Sequence, residues 1–329
     1  MNNFKKIGMT ALAASLVSTS VFAGEMTVAG SASINTEGHS GTALNEATTF
    51  SMGNQLTFSG SGELDNGMTV SLSFVMDQGD DATTVAPTSG TSHGGGIPFD
   101  SHSVTVSSDA LGTLVLHGEG GSSAASALDT TAAGDMWDNF NSNGGVSVSD
   151  SGPGDNSLMY TLPTLMDGIS VSASYNPSIS GTTPGNEAEI GLSATYTGVE
   201  GLSLSYGVTD LDGAGTASDG DQTAWKASYV YGSVTVAATN SEYDVTGTAS
   251  DQEVSSYKIS YTVSDAISIG YGSETISTST TGELDAEYDG FNASYTAGGM
   301  TISAAMQDGA EIAHTTAVAE LPRLISSVP

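Results

Sequence analysis

The feature that most constrains this chain is the alternation of apolar and hydroxyl-bearing residues in short segments. It is clearest over residues 156–175, where a short turn, Pro163 to Gly168, separates two such segments. In the second segment the apolar residues, each separated by one serine, are Ile169, Val171, Ala173 and Tyr175. Successive side chains of a strand point to opposite faces, so this stretch predicts a β-hairpin with one apolar and one polar face.

The same alternation recurs along most of the chain. We count fifteen such segments, and turns of about two to six residues alternate with loops of roughly ten or more. Beyond the first 23 residues, no run of ~20 apolar residues could form a spanning helix. Lipid offers backbone groups no partner, so such a chain crosses a membrane only as a closed barrel. The sequence therefore predicts an all-β fold, a transmembrane antiparallel up-and-down β-barrel of about 16 strands.

Tyrosine is concentrated in the second half of the chain. All twelve tyrosines lie from Tyr160 onward, and several end an apolar row, namely Tyr175, Tyr196, Tyr231, Tyr271 and Tyr295. Aromatic residues are enriched at the two membrane–water boundaries of spanning barrels. We interpret the row ends as an aromatic girdle, although tyrosine also favours strands in general.

The hairpin carries a family resemblance. Asn156-Ser157, Tyr160, Pro163, Gly168 and Tyr175 resemble the sixth strand, third turn and seventh strand of the Gram-negative general porins. The turn Ser108–Gly112 and its flanking strands are similar to the same family. The resemblance implies a homotrimer of sixteen-stranded barrels in outer-membrane lipid. It also implies passive diffusion of small hydrophilic solutes and ions through a water-filled channel, without enzymatic activity.

The first 23 residues predict a cleavable secretory signal. Lys5 and Lys6 precede an apolar run, Ile7 to Val21, and Val21-Phe22-Ala23 supplies a cleavage pattern. A membrane anchor is disfavoured because the apolar run is too short to span the hydrocarbon. We therefore expect residues 24–329 to form the exported barrel domain in the cell outer membrane.

The charge balance is strongly acidic. The chain has 37 acidic and five basic residues, and residues 24–329 retain only Lys226, Lys258 and Arg323. Such a surface repels nucleic acid, which proteins bind by neutralising phosphates, and it attracts cations. Cysteine is absent, which excludes disulfides and thiolate metal sites.

The longest stretch without strand character is residues 119–155. By the resemblance, this loop folds into the barrel and narrows the pore, with Trp137 and Phe140 anchoring it to the wall. At matched positions, the acidic residues that would line the constriction are Glu119, Asp129, Asp135 and Asp138. Rings of acids favour cations in pores, so we expect a cation-preferring channel.

Two lysines are the candidates for a positive wall opposite this loop. Lys226 and Lys258 each lie between outward-facing neighbours, so the alternation turns both toward the lumen. A lysine facing lipid at the midplane would cost about 2–4 kcal/mol. Family members face the loop with arginines, which the predicted strands of this chain lack. The alternative is that both lysines are simply solvated lumen residues.

Two acidic segments contain candidate ligands for weakly bound Ca²⁺, which prefers carboxylate oxygens. The residues are Asp77, Asp80, Asp81, Asp210 and Asp212. The alternative is a pair of solvated acidic loops. We expect no other cofactor, because the histidines lack metal-ligand spacing. Gly90–Gly94 matches a hydrolase motif in its residues, but it lacks the strand-to-helix turn that a nucleophilic serine needs, so it does not predict an enzyme.

The C-terminal segment departs from the family pattern. Residues 310–329 contain no aromatic residue, and Leu321-Pro322 interrupts a ladder because proline lacks the N–H donor. The sequence therefore predicts an atypical tail in place of the last strand and leaves barrel closure open.

The competing interpretation of the whole chain is a secreted or surface-attached acidic β-rich adhesin or layer protein. The barrel is favoured because a soluble β-sandwich would vary its strand lengths and have loops of similar length at both ends, whereas here short turns alternate with long loops.

Overall fold

The structure is a computed structural model. It describes residues 26–41, 47–77, 100–128, 130–141, 145–148, 156–177, 188–211, 220–245, 251–314 and 318–328. The predicted signal, residues 1–23, lies outside these ranges. Within them, no helix is long and apolar enough to cross a membrane.

Within the described ranges the chain forms sixteen strands and two short helical segments. The strands of the first half are β1 Thr27–Gly41, β2 Ala47–Glu63, β3 Thr69–Asp77, β4 Ser101–Ser108, β5 Gly112–Glu119, β6 Ser157–Thr161, β7 Ile169–Asn176 and β8 Glu189–Tyr196. Those of the second half are β9 Leu202–Leu211, β10 Gly220–Tyr231, β11 Val234–Val245, β12 Gln252–Ser264, β13 Ile267–Thr278, β14 Ala286–Ala297, β15 Met300–Ala310 and β16 Val318–Val328. Between β5 and β6 lie a 3-10 helix, Ser126–Leu128, and an α-helix, α1, Asp138–Asn141.

Every strand pairs antiparallel with its neighbours in sequence, and β16 also pairs with β1, so the sheet closes into a barrel. The fold class predicted from the alternation is confirmed. Closure gives each strand two hydrogen-bonded neighbours, which is what a sheet in hydrocarbon requires. A barrel of this strand number encloses an aqueous channel instead of a packed interior.

The predicted apolar rows lie on the outer surface. Large apolar side chains are exposed around the barrel, for example Phe291 at 60 % and Tyr231 at 76 %. Tyr160, Tyr196, Tyr231 and Tyr295 lie at or near the turn-side ends of β6, β8, β10 and β14. This ring matches one of the two aromatic girdles of a membrane barrel. Of the predicted girdle residues, Tyr175 lies at the loop-side end of β7 and Tyr271 in the middle of β13, so these two are not part of the ring.

Polarity inverts on the loop side of the barrel. On β14, the outward residue Phe291 is followed toward the loops by outward Asp289 and Glu287, whereas the inward residues Tyr288 and Ala286 are apolar and buried. The strands therefore rise beyond the lipid, where the outer face meets water. At this height the inner face packs against protein.

The predicted absence of a regular last strand is wrong, because residues 318–328 form β16. The ladder from β15 continues through Leu321 and Pro322, which are opposite Gln307 and Met306. The ladder with β1 breaks at the same two residues and resumes on either side of them. The missing N–H of proline thus coincides with a local gap on one edge, while the rest of the strand stays paired.

The outward and inward rows of β11 permit a matched test of lipid exposure. We expect Val236→Arg to lower the unfolding free energy in liposomes by about 2–4 kcal/mol, because Val236 faces outward beside Ile259. Ala237→Arg should cost under about 1 kcal/mol, since its head group stays in lumen water even beside Lys258. Urea titrations followed by tryptophan fluorescence measure both. Equal losses would contradict the assigned faces.

Candidate functional site: the inward loop and its wall

We call the segment between β5 and β6, residues 120–156, the constriction loop. Its described residues, 120–128, 130–141 and 145–148, follow the inner wall of the barrel. Its backbone N–H groups donate to wall hydroxyls, from Ala124 to Ser174 Oγ (2.8 Å) and from Ala133 to Ser256 Oγ (2.9 Å). Ala132 N–H donates in the same way to Thr239 Oγ1 at 3.0 Å. These contacts lie on β7, β11 and β12, so the loop extends along a large part of the wall.

Glycines on the wall let the loop lie close to the sheet. A Cβ at Gly272 on β13 would stand 2.9 Å from Ala133 Cβ, and one at Gly191 on β8 would stand 3.0 Å from Ala124 N. Side chains at these positions would push the loop away from its hydrogen-bond acceptors. The inner wall thus presents small residues where the loop passes and hydroxyls where it binds.

A single inward carboxyl group on β13 holds the middle of the loop. Glu274 is 1 % exposed. Its Oε2 accepts a hydrogen bond from Thr131 Oγ1 at 2.6 Å, and its Oε1 accepts one from Trp137 N–H at 3.1 Å. The Thr131 hydroxyl in turn accepts from Asp135 N–H at 2.7 Å. Glu274 therefore joins the wall to the loop turn at Thr131 and to the backbone of Trp137.

An apolar cluster lies between the loop and the wall beside Glu274. Phe140 is fully buried, and its ring packs against Tyr288 with centroids 5.2 Å apart. The buried members are Ala133, Met136, Phe140, Val254, Ile276, Ala286, Tyr288 and Ile312, and Trp137 packs against them. Trp137 and Phe140, the predicted anchors, therefore both lie in or against this cluster.

The predicted acidic residues of the loop occupy different environments. Asp135 is half-buried with a positive φ of 51°, and its Oδ1 accepts a hydrogen bond from Thr131 N–H at 2.9 Å. Asp138, the first residue of α1, is exposed. Asp129 lies outside the described residues.

Glu119 is separated from the other loop acids. It ends β5, which is eight strands from β13 in the sixteen-stranded ring and so on the opposite wall from Glu274. A register irregularity pairs it with His102, whose Nδ1 lies 4.0 Å from its carboxylate. The His102 ring stacks on Phe74. Glu119 thus lies at the loop-side end of β5, directly before the constriction loop begins.

The two candidate lysines lie on the inward rows of β10 and β12, and both are half-buried. Lys226 is opposite Thr239, and Lys258 is opposite Gly272; both of these residues contact the loop. The lysines are two strands apart, about 10 Å across the sheet. They border the segment of the loop that contains Ala132 and Ala133.

The candidate calcium ligands do not form a described cluster. Asp210 is an exposed residue of β9, and Asp77 is the last residue of β3. Asp80, Asp81 and Asp212 lie outside the described residues. Within the described part of the chain, no group of three His, Asp or Glu residues is arranged to hold a metal ion.

Sequence reasoning missed Glu274, the residue that carries the loop's strongest polar contact. Its position has the same parity as the inward residues of β13, which is a usable signal. The apolar row of this strand, Ile267, Ile269 and Tyr271, ends before Glu274, so the alternation alone does not extend the strand to this residue. The polarity inversion above the lipid hides the alternation there.

Removing the Glu274 carboxyl group should release the loop. We expect Glu274→Ala to raise single-channel conductance and current noise, because two buried donors lose their acceptor at about 1–3 kcal/mol each. The matched control is Glu287→Ala, which removes an exposed carboxylate from the outer face of β14. Planar-bilayer recordings of the two variants check this. Conductance of Glu274→Ala equal to that of the unmodified channel would show that the contact does not hold the loop.

Solved structures of similar architecture share this barrel. A porin refined at 1.8 Å resolution matches with a TM-score of 0.65 and 18 % sequence identity, covering 92 % of this chain and 100 % of that one. Two variants of the porin of Rh. blastica each give a TM-score of 0.64 and 16 % identity over the same shares. At such identities the likeness concerns the fold. No curated protein sequence matches the chain significantly.

The family itself is established by sequence. The model of the Gram-negative porin family matches residues 8–306, which is most of the chain. The match agrees with the closed antiparallel barrel and its outward apolar rows. The chain belongs to the Gram-negative porin family and forms a channel in the outer membrane.

Proposed function

We propose that this porin is a passive, cation-preferring channel for small hydrophilic solutes and ions. The observation that carries the proposal is the attachment of the acidic constriction loop to the inner wall through Thr239, Ser256 and Glu274. A loop held in the lumen narrows the water-filled path and brings its carboxylates near the passing solute. Diffusion through such a path requires no reaction and no catalytic group.

The charge distribution supports the cation preference. Asp135 and Asp138 lie on the attached part of the loop, and the chain has 37 acidic residues against five basic ones. Carboxylates that line a narrow aqueous path attract cations and repel anions. Lys226 and Lys258 oppose this field locally, on the wall beside the loop. The net preference therefore depends on the loop acids being closer to the solute path than the two lysines.

Selectivity under a salt gradient tests this proposal. We expect reversal potentials in a KCl gradient to favour K⁺, and the double variant Asp135→Asn, Asp138→Asn to reduce that preference. Asparagine at 135 keeps an oxygen acceptor for Thr131 N–H, so the charge is lost and the turn is retained. The preference should shrink at molar salt, where the screening length falls to about 3 Å.

The control for this test is Asp265→Asn, in the turn between β12 and β13, far along the chain from the loop. It removes one carboxylate at the barrel rim and should leave the reversal potential close to that of the unmodified channel. Potentials that favour chloride in the unmodified porin would overturn the proposed selectivity. Such a result would not contradict the proposal that the protein is a passive channel.

We extend the proposal to a homotrimer. Strands β4 to β8 have five to eight residues, fewer than the about 9–11 that cross the hydrocarbon, whereas β9 to β15 have ten to thirteen. We call the part of the barrel formed by the short strands β4 to β8 the low wall. These strands are too short to cross the hydrocarbon, and contact with neighbouring copies of the chain would shield them from lipid. Apolar outward residues such as Leu72 and Val104 lie on or beside this wall.

Mass measurement in detergent tests the assembly. We expect light scattering to give three chains per particle. Val104→Arg should shift particles to monomers, because it places a charge on the outer face of β4. Ile259→Arg puts the same charge on the outer face of β12, away from the low wall, and should remain trimeric. Monomeric particles of the unmodified protein would rule out the trimer.

A further inference from the structure

A second feature of the lumen lies immediately on the turn side of the loop attachment. It is a cavity of about 270 Å³ on the inner wall formed by β12 to β15. The inward polar side chains that line it are Lys258, Ser260, Ser268, Asn292, Ser294 and Ser303. Four adjacent strands thus bring one ammonium, one amide and four hydroxyl groups to one place.

The floor of this cavity depends on a residue without a side chain. A Cβ at Gly270 on β13 would stand 2.6 Å from Asn292 Oδ1 and 3.2 Å from Ser260 Oγ. The Asn292 amide therefore reaches over the bare backbone of β13 toward β12. Beside it, the hydroxyls of Ser268 and Ser294 are hydrogen-bonded at 2.7 Å. The result is a shallow polar recess with its groups already positioned.

The constriction loop is attached to the inner wall next to the cavity, on its loop side. One inward step toward the loops from the lining residues, Ser256 accepts the Ala133 N–H, and Gln307 Oε1 accepts a hydrogen bond from Asn139 at 3.0 Å. On β13 the same step is Gly272, against which Ala133 packs. The cavity therefore lies on the turn side of the attached loop, one inward position along the strands from the residues that hold it.

Lys258 gives the cavity its chemistry. It is one of three basic residues after position 23, in a chain with 37 acids. Across the described ranges, neither an ion pair nor a side-chain hydrogen bond of its ammonium occurs. An ammonium has three donors and no acceptor, and it acts as a point charge for anions. The surrounding hydroxyls and amide are neutral and can both donate and accept.

We infer that this cavity is a binding site for a small polyhydroxylated monoanion of the sugar-acid class. One positive charge matches one carboxylate, and the hydroxyls and the Asn292 amide match the hydroxyl groups of the solute. The volume lies just below the about 300–1,000 Å³ of typical ligand pockets, which suits a solute of monosaccharide size. The inference rests on the proposed open channel, and it assigns to an otherwise cation-preferring lumen one place that retains an anion.

Current block by gluconate tests the site in full-length channels reconstituted in planar bilayers. Gluconate should reduce the KCl current in a saturable manner and at lower concentrations than acetate, which lacks the hydroxyls, or glucose, which lacks the charge. Lys258→Gln should raise the half-blocking concentration of gluconate at least about tenfold, as expected for the loss of a charge-assisted hydrogen bond. Asn292→Ala should raise it about threefold to tenfold without any change of charge.

The matched control is Lys226→Gln, which removes the same charge from the inward row of β10, outside the cavity. It should change the half-blocking concentration less than about twofold. Equal shifts in the two lysine variants, or gluconate block no stronger than acetate block, would overturn the site. A conducting channel that gluconate does not block refutes this inference alone, whereas a protein without conductance refutes the proposed function.

Discussion

The whole structure depends on the backbone's need for hydrogen bonds in a solvent that offers none. Hydrocarbon supplies no partner for N–H or C=O groups, so each strand must pair on both sides. The described part of the chain meets this requirement through sixteen strands and the pairing of β1 with β16. Closure then separates the side chains into one row that contacts lipid and one row that contacts the lumen. The alternation in the sequence is the consequence of that separation.

The inner row has a structural role besides lining water. Small hydroxyl residues accept hydrogen bonds from the backbone of the loop, and glycines let that backbone come close. On β12 to β15 the inner wall is arranged in levels. Buried apolar residues such as Val254 lie nearest the loops, acceptors such as Ser256 follow, and the polar cavity at Lys258 lies nearest the turns. From the loops toward the turns, one inward row of residues therefore packs against the loop, accepts its hydrogen bonds and then lines the polar cavity.

The barrel was predictable because lipid enforces alternation over the whole membrane band. Above that band the signal disappears. Outward Ser273 and Thr275 are polar and inward Ile276 is apolar, so the contrast that marked β13 reverses, and Glu274 went unrecognised. The last strand was missed for a different reason. A proline removes one donor, and the sequence does not tell which edge of the strand loses it; here the gap falls only on the β1 side.

Hydrogen bonds alone hold a loop weakly in a channel full of water, and the apolar cluster under the loop adds a second source of attachment. Each hydrogen bond contributes about 0.5–1.5 kcal/mol net, since water competes for the same donors and acceptors. Full burial of a side chain such as Phe140 contributes about 1.5–3 kcal/mol, and the cluster around Tyr288 excludes water from the adjacent Glu274 contacts. The cluster therefore contributes to the attachment alongside the hydrogen bonds. The polar contacts fix the position of the loop against the wall, and with it the place where the acidic side chains meet the solute.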